Sequence, residues 1–200
     1  MSEKDNALIY LKKFITVLAN VPAEEWDHYK NLVKYSFIKK GDFFCEEGEL
    51  FRDTAYISSG LFEGYYTDEH SGNQFIKKFY FENTVMAPYR SILERAPSDL
   101  SIKALEDSHI MVLSFDKILE LYPRHVCWES IGRKFSEAEF IARDRREKSI
   151  LLKTPTERYL KFLDDYKELS SKISDKKIAQ YLGIANVSLS RIRKRLSSSD

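Results

Sequence analysis

Apolar positions recur along this chain with two different periods, and the change from one to the other divides it. In Asp5–Leu18 and Pro22–Leu32 they fall at intervals of three and four, which predicts two short amphipathic helices. From about Tyr35 to Phe115 the texture becomes short runs rich in β-branched and aromatic residues: TAYISS, LFEGYYTD, NQFIKKFYF, LSIKALED and SHIMVLSF. Turn signals punctuate them at Gly41-Asp42, Glu47-Gly48, Ser59-Gly60 and Ser71-Gly72-Asn73. Many short strands at close spacing predict a β-roll, the jelly-roll or double-stranded β-helix arrangement. NTVMAPYRSILERAPSD interrupts them with a loop and a short helix from Tyr89 to Arg95. Phe75, Phe79, Tyr80 and Phe81 are expected in the core on one face of their strand.

The remainder reads as helix. Between Pro123 and Leu152 the only helix-breaking residue after Pro123 is Gly132, and Trp128, Ile131, Phe135, Ala138 and Ala142 alternate three and four apart. That is the seam of a two-stranded coiled coil, so these five residues are the expected dimer interface. The seam weakens at Arg145 and Ser149. The alternative is a long helix packed on its own β-domain, and Phe140 and Ile141, off the seam, would pack there in either case. Thr154, Pro155 and Glu157 form a T-x-x-E capping box with proline at the first helical position, which places a hinge at Lys153-Thr154. The expected domains are 1–122, a β-roll sensor; 123–152, a dimerisation helix; and 153–200, a DNA-binding unit.

That last unit holds DKKIAQYLGIANVSLSRIRKRL, from Asp175 to Leu196. Ser174 or Asp175 caps a first helix whose inner face is Ile178, Ala179 and Leu182. Gly183 ends it, where a positive φ is cheap only for glycine. Leu189, Ile192 and Leu196 form the inner stripe of a second helix. A small residue, glycine four later, and apolar residues six and nine beyond match the spacing of a helix-turn-helix. On the helical wheel Val187, Arg191 and Lys194 stand opposite the stripe, flanked by Ser188, Ser190 and Arg195. Arg191 suits a bidentate contact to guanine and Val187 a thymine methyl. Ser188, Lys194 and Arg195 suit phosphates, and Asn186 caps the helix or meets a base or phosphate.

Composition changes this picture in few places. The formal net charge is only +1, so global charge points to no nucleic-acid partner. Seven Lys/Arg against one Asp between Ser170 and Leu196 do point to one. No apolar run is long enough to span a membrane, and MSEKDNALIYLKKF lacks the pattern of a signal peptide, so a reduced, cytoplasmic protein is expected. Cys45 and Cys127 are too few for a disulfide framework. His28, His70, His109 and His125 are scattered, so no metal site is expected, and no nucleophile and base stand together as an enzyme would require.

The order of parts, with ISDKKIAQYLGIANVSLSRIRKRL at the end and KKGDFFCEEGE and AYISSGLFEGYY in the roll, resembles the Crp/Fnr family of bacterial transcription regulators. The resemblance implies an α+β fold: an N-terminal cyclic-nucleotide-binding-like β-roll with flanking helices, a long dimerisation helix and a C-terminal helix-turn-helix, here without a complete wing. It further implies a homodimer that reads double-stranded DNA, with RNA polymerase as a further partner. Members that bind cyclic AMP carry Gly-Glu and a downstream Arg-Ser/Thr-Ala, where Glu contacts the ribose and Arg the cyclic phosphate. The matching positions here hold Ala87-Pro88 and Ser98-Asp99-Leu100, a degenerate cassette, so a response to cyclic AMP is not expected and the effector is unidentified. Arg191 matches the family's base-reading arginine, whereas Val187 replaces a frequent glutamate. The competing reading is a ligand- or protein-binding adaptor that no longer reads DNA.

Overall fold

The computed structural model describes residues 2–197; the short serine-rich end, Ser198–Asp200, lies outside the described residues. Two compact units emerge: the residues up to Tyr66 with Lys78–Glu137, and Thr67–Lys77 with the residues from Ala138 onward.

The first unit opens with α1 (Glu3–Leu18) and α2 (Ala23–Leu32). Ser2 and Asp5 close a capping box at the start of α1. Five strands follow, β1 (Lys34–Ile38), β2 (Phe43–Cys45), β3 (Asp53–Ser59), β4 (Leu61–Thr67) and β5 (Gln74–Phe81). After β6 (Val85–Met86) comes the short α3 (Tyr89–Glu94), then β7 (Ser101–Ala104), β8 (Ser108–Ser114), α4 (Phe115–Leu121) and α5 (Val126–Leu152). The strands make two four-stranded sheets, ordered β1-β8-β3-β6 and β2-β7-β4-β5, as a roll requires. The pairings are antiparallel, with Ile57 opposite Ile110 and Gly64 opposite Ile102. Gly60 turns the chain from one sheet to the other at φ 113°, and a Cβ there would lie 2.0 Å from Ser108 Oγ. The α3 helix falls where the sequence predicts it; α4 was not anticipated, although Ser114 caps it by accepting from the Lys117 amide.

The sheet β1-β8-β3-β6 is apolar on both faces. Along β8, Ile110 and Val112 point into the roll, while Met111 and Leu113 point the other way. Along β3, Ala55 and Ile57 face the roll and Tyr56 faces out; in β6, Met86 and Val85 divide likewise. The roll interior is filled by Phe44, Phe62, Tyr80, Leu100 and Ile102. The opposite face is covered by Leu11 and Ile15 of α1, Trp26 of α2, Leu121 of α4 and Trp128 of α5. Period-two alternation therefore supplies two cores rather than one core and one wet face. In β5 the expected aromatic face is only partly right: Phe79 and Tyr80 are buried, but Phe75 is 51% exposed.

One charge is buried in the helical layer. Glu25 Oε2 accepts from the Trp128 indole at 2.7 Å, and Arg124 lies 3.4 Å from Oε1. Trp128 is thus a core residue, 4% exposed, and not a position on a seam between subunits as its heptad placement suggested. The indole hydrogen bond, aided by the Arg124 charge, holds the Glu25 carboxyl below the usual range despite the opposing effect of burial.

The second unit holds the Thr67–Lys77 hairpin tip, the rest of α5, and α6 (Pro155–Asp165), α7 (Asp175–Leu182) and α8 (Asn186–Ser197). The predicted capping box is present: Thr154 Oγ1 accepts from the Glu157 amide, and Glu157 accepts from the Thr154 amide at 2.7 Å. Of the five expected seam residues, Ile131 and Phe135 are half-buried in the first unit and Ala138 and Ala142 are exposed. Phe140 and Ile141, expected to pack on the roll, are 71% and 48% exposed.

Because Glu25 has a depressed pKa when folded, its contribution to stability is present above the unfolded carboxylate range and fades as pH falls through the folded value. Glu25→Gln is expected to cost about 1–3 kcal/mol at neutral pH, the loss of a charged acceptor from a buried indole. Thermal unfolding from neutral pH down to about pH 3 should show the gap between parent and variant closing. A pH-independent gap would show that the ionised carboxylate contributes nothing.

Candidate nucleic-acid interface

The C-terminal helices are held by a small core of Tyr159 and Phe162 from α6, Ile173, Ile178, Ala179 and Leu182 around α7, and Leu189 and Ile192 from α8. Gly183 ends α7 in the left-handed conformation, φ 67°, and its amide donates back to the Ala179 carbonyl. Ser174 occupies the N-cap position of α7 without a side-chain bond. The first turn of α8 closes on the Ala185 carbonyl, which accepts from Ser188 at 2.9 Å and Leu189 at 3.2 Å. Asn186 is therefore the first helical residue, with an exposed side chain, rather than the cap.

Four cationic side chains on α8 have different fates. Arg193 turns inward: its Nε donates to the Tyr159 hydroxyl at 2.9 Å and Nη1 to Asp175 Oδ1 at 2.6 Å. This bridge ties α8 to α6 and α7, and it spends a cation that charge counting would assign to solvent or DNA. Arg195 is exposed and donates to Thr156 Oγ1. Lys194 is exposed. Arg191 is exposed and makes no hydrogen bond or ion pair with any described residue. Val187 beside it is 62% exposed, Ser190 is exposed and Ser188 is half-buried.

Arg191, Arg195 and Ser188 line an open groove with Thr154, Thr156 and Glu157 at the start of α6. All seven sequence-selected residues, Asn186 to Ser188, Ser190, Arg191, Lys194 and Arg195, lie on α8, and all but Ser188 are exposed. Sequence reasoning missed the α6 wall of the groove. The capping box marked Thr154, but nothing in the spacing showed that α6 starts beside α8.

Arg146 was also missed. Its guanidinium lies 4.0 Å over the Tyr181 ring and donates to the Tyr181 carbonyl at 2.8 Å and the Ile76 carbonyl at 3.0 Å. One side chain thereby joins α5, the hairpin tip and the end of α7, where helix carbonyls lack intrahelical partners. Tyr181 meets Phe162 in turn at a tilt and Tyr166 edge-on.

The degenerate cassette adopts a self-contained form. Pro88 precedes α3 at its N-cap position and brings no amide hydrogen. Ser98 is buried; its hydroxyl donates to the Leu100 carbonyl at 2.7 Å and accepts from the Leu100 amide. Arg90, the nearest cation on α3, is paired with Asp99 and lies 3.6 Å from Glu94. Ala87 lies on the helical side of the sheet, in the lining of a cavity.

Burial pushes the Cys45 thiol up to about 11 and raises that of Cys127, so both are protonated at neutral pH. Among the described residues no three of His, Cys, Asp and Glu converge as metal ligands, and no helix is long and apolar enough to cross a membrane.

No family model matches the sequence, and no curated protein matches it. Solved structures do match. FixK2 from Bradyrhizobium japonicum superposes with a TM-score of 0.71 at 19% identity, over 84% of this chain and 85% of that one. The c-di-GMP responsive global regulator CLP of Xanthomonas campestris gives 0.70 at 12% identity, over 89% and 93%. A chain from Eubacterium rectale assigned to the Crp/Fnr family of transcriptional regulators gives 0.72 at 14% identity, over 90% and 85%. Two antiparallel sheets in a roll, a long helix after it, and helices of the same order at the C-terminus give this chain the fold of the Crp/Fnr transcription regulators.

Proposed function

We propose that the protein is a homodimeric, sequence-specific DNA-binding regulator of transcription. The observation that carries this reading is the division of α8: Leu189 and Ile192 are buried and Arg193 is bonded inward, while Arg191 stands exposed without a protein partner. A guanidinium left so on a helix held by its opposite face is positioned for a major-groove guanine. Asn186, Val187, Ser188, Ser190, Lys194 and Arg195 complete the DNA surface, with the cations and hydroxyls on phosphates. In this reading residues 1–122 sense, 123–152 dimerise and 153–200 bind DNA. The exposed alanines at 138 and 142, with Ile141 and Leu152 on the same side of α5, supply the seam. Occupancy or contact at the roll shifts the dimer helix and with it the spacing of the two recognition helices. RNA polymerase is the partner through which such a dimer would activate.

The paired Arg90, the internally bonded Ser98 and the missing amide at Pro88 support a protein that does not respond to cyclic AMP. A buried cyclic phosphate would find Arg90 already paired with Asp99 and no backbone donor at Pro88.

Three outcomes are expected. On a site selected from random DNA, Arg191→Ala costs about 1–3 kcal/mol and relaxes discrimination at one base pair per half-site. Lys194→Ala weakens all sequences alike and lowers the salt slope by about one ion per subunit. Salt titrations of both variants on selected and random DNA check this, and parental behaviour from both would assign the wrong face. In sedimentation the parent is expected to be a dimer at micromolar concentration, and Ile141→Asp a folded monomer with lost DNA affinity, because it replaces apolar surface between the paired helices with a charge. A monomeric parent would remove the dimer from this reading. Calorimetric titration with cyclic AMP is expected to give no saturable heat in the micromolar range, whereas a tight site that altered DNA affinity would contradict it.

A further inference from the structure

The cover on the helical side of the β1-β8-β3-β6 sheet is incomplete. A cavity of about 120 Å³ lies between the sheet and the helices, wholly within the first unit. Tyr56 and Met111 form its floor from the sheet, Phe14 and Ile118 line it from α1 and α4, and Trp128 and Phe135 line it from α5. It is partly open, so a small molecule can reach it. The roll interior, where the sheet's other face points, is a separate space already filled by Phe62, Tyr80 and Met86.

The lining determines what fits. It contains no Asp, Glu, Lys, Arg or His, and so offers nothing to a phosphate, a carboxylate or an ammonium group. Several hydroxyls that it does contain are engaged elsewhere. Tyr56 donates to Asn83 Oδ1 at 2.6 Å, Thr54 to the Leu113 carbonyl at 2.9 Å, and Tyr89 pairs with Ser136 Oγ at 3.1 Å. The Tyr29 and Tyr122 hydroxyls also belong to the lining, and the rest of it is ring and alkyl surface. Cavities of this kind, apolar and about 150 Å³, stay dry and take up benzene or xenon.

The walls are braced from both sides. Lys134 of α5 donates to the Leu18 carbonyl at the end of α1, and the Tyr89 ring meets Phe135 edge-on at 6.0 Å. At Gly132 α5 lies close against Tyr122: a Cβ there would lie 2.4 Å from the Tyr122 hydroxyl. The space is thus held open between elements that are pinned, rather than left by a loose helix that could collapse into it.

We infer that this cavity is a binding site for a small, uncharged, apolar molecule of about one aromatic ring, seated beneath Trp128 and Phe135 of α5. Its occupant presses on the first turns of the helix that carries the proposed dimer seam, and its chemistry is unlike that of any nucleotide. The site does not depend on whether the protein binds DNA.

Bromobenzene tests it on the full chain. Trp26 and Trp128 are the two tryptophans, and Trp128 is the one that lines the cavity. A bound heavy atom should quench part of the tryptophan emission saturably, and benzene should compete the quench away. Val85→Phe and Ile118→Phe, each placing a ring in the space from a different wall, should abolish the saturable component while leaving the emission of the free protein in place. A quench that is merely linear in bromobenzene, or one that the filled variants retain, overturns the assignment. Two variants on separate elements keep the test decisive if one of them does not fold.

Discussion

A strand whose central residues are apolar one after another has no face there to give to water. That constraint governs β3, β6 and β8. Ala55, Ile57, Met86 and Ile110 must be covered on one side and Tyr56, Val85, Met111 and Leu113 on the other. The second sheet of the roll meets the first requirement. The second has to be met by helices, and α1, α2, α4 and the start of α5 meet it. The buried Glu25–Trp128 pair belongs to this layer. It ties the start of α5 to α2, because an indole N–H and a carboxylate away from water each need the other. The cavity is the place where five helices and a sheet, each constrained elsewhere, leave a remainder.

The same requirement divides α5. Its first turns face the sheet through Trp128, Ile131 and Phe135, and its apolar residues beyond them, Ile141, Ile150, Leu151 and Leu152, are exposed. A single heptad pattern therefore serves two purposes in succession. The part that covers the sheet is occupied there, and the part beyond leaves its apolar residues exposed while Arg146 ties it to the hairpin tip and α7. That is why a dimer seam beginning near Ala138 agrees better with the burial than one beginning at Trp128.

In the C-terminal unit the organising choice is made by Arg193. Its bonds to Tyr159 and Asp175 tie α8 to both neighbouring helices, so the orientation of the helix is set by a charge as well as by Leu189 and Ile192. Arg191, two residues earlier and turned about 160° around the axis, is left to the outside as a consequence. Arg146 acts similarly at the other end of α7, where its two carbonyl acceptors and the Tyr181 face hold three segments with one side chain.

The sequence by itself determined whatever depends on neighbours along the chain. The Thr154–Glu157 capping box, the left-handed turn at Gly183, the inner stripe of α8 and the outward set of Arg191, Lys194 and Arg195 all follow from spacings of a few residues, and local geometry obeys those spacings. The β-roll was legible for the same reason, from alternation and turn residues. Tertiary structure alone decided which partner each apolar or charged group received. A 3-4 repeat says that Trp128 and Ala138 share a helix face, not that one meets Glu25 and the other solvent. Phe75 and Phe79 carry the same propensity and differ only in what lies opposite them. Arg193 and Arg191 carry the same charge, and only the arrival of Tyr159 and Asp175 from elsewhere in the chain separates the arginine bonded inward from the one left exposed. Periodicity describes the face a residue occupies, whereas burial and pairing depend on distant segments that the linear pattern does not encode.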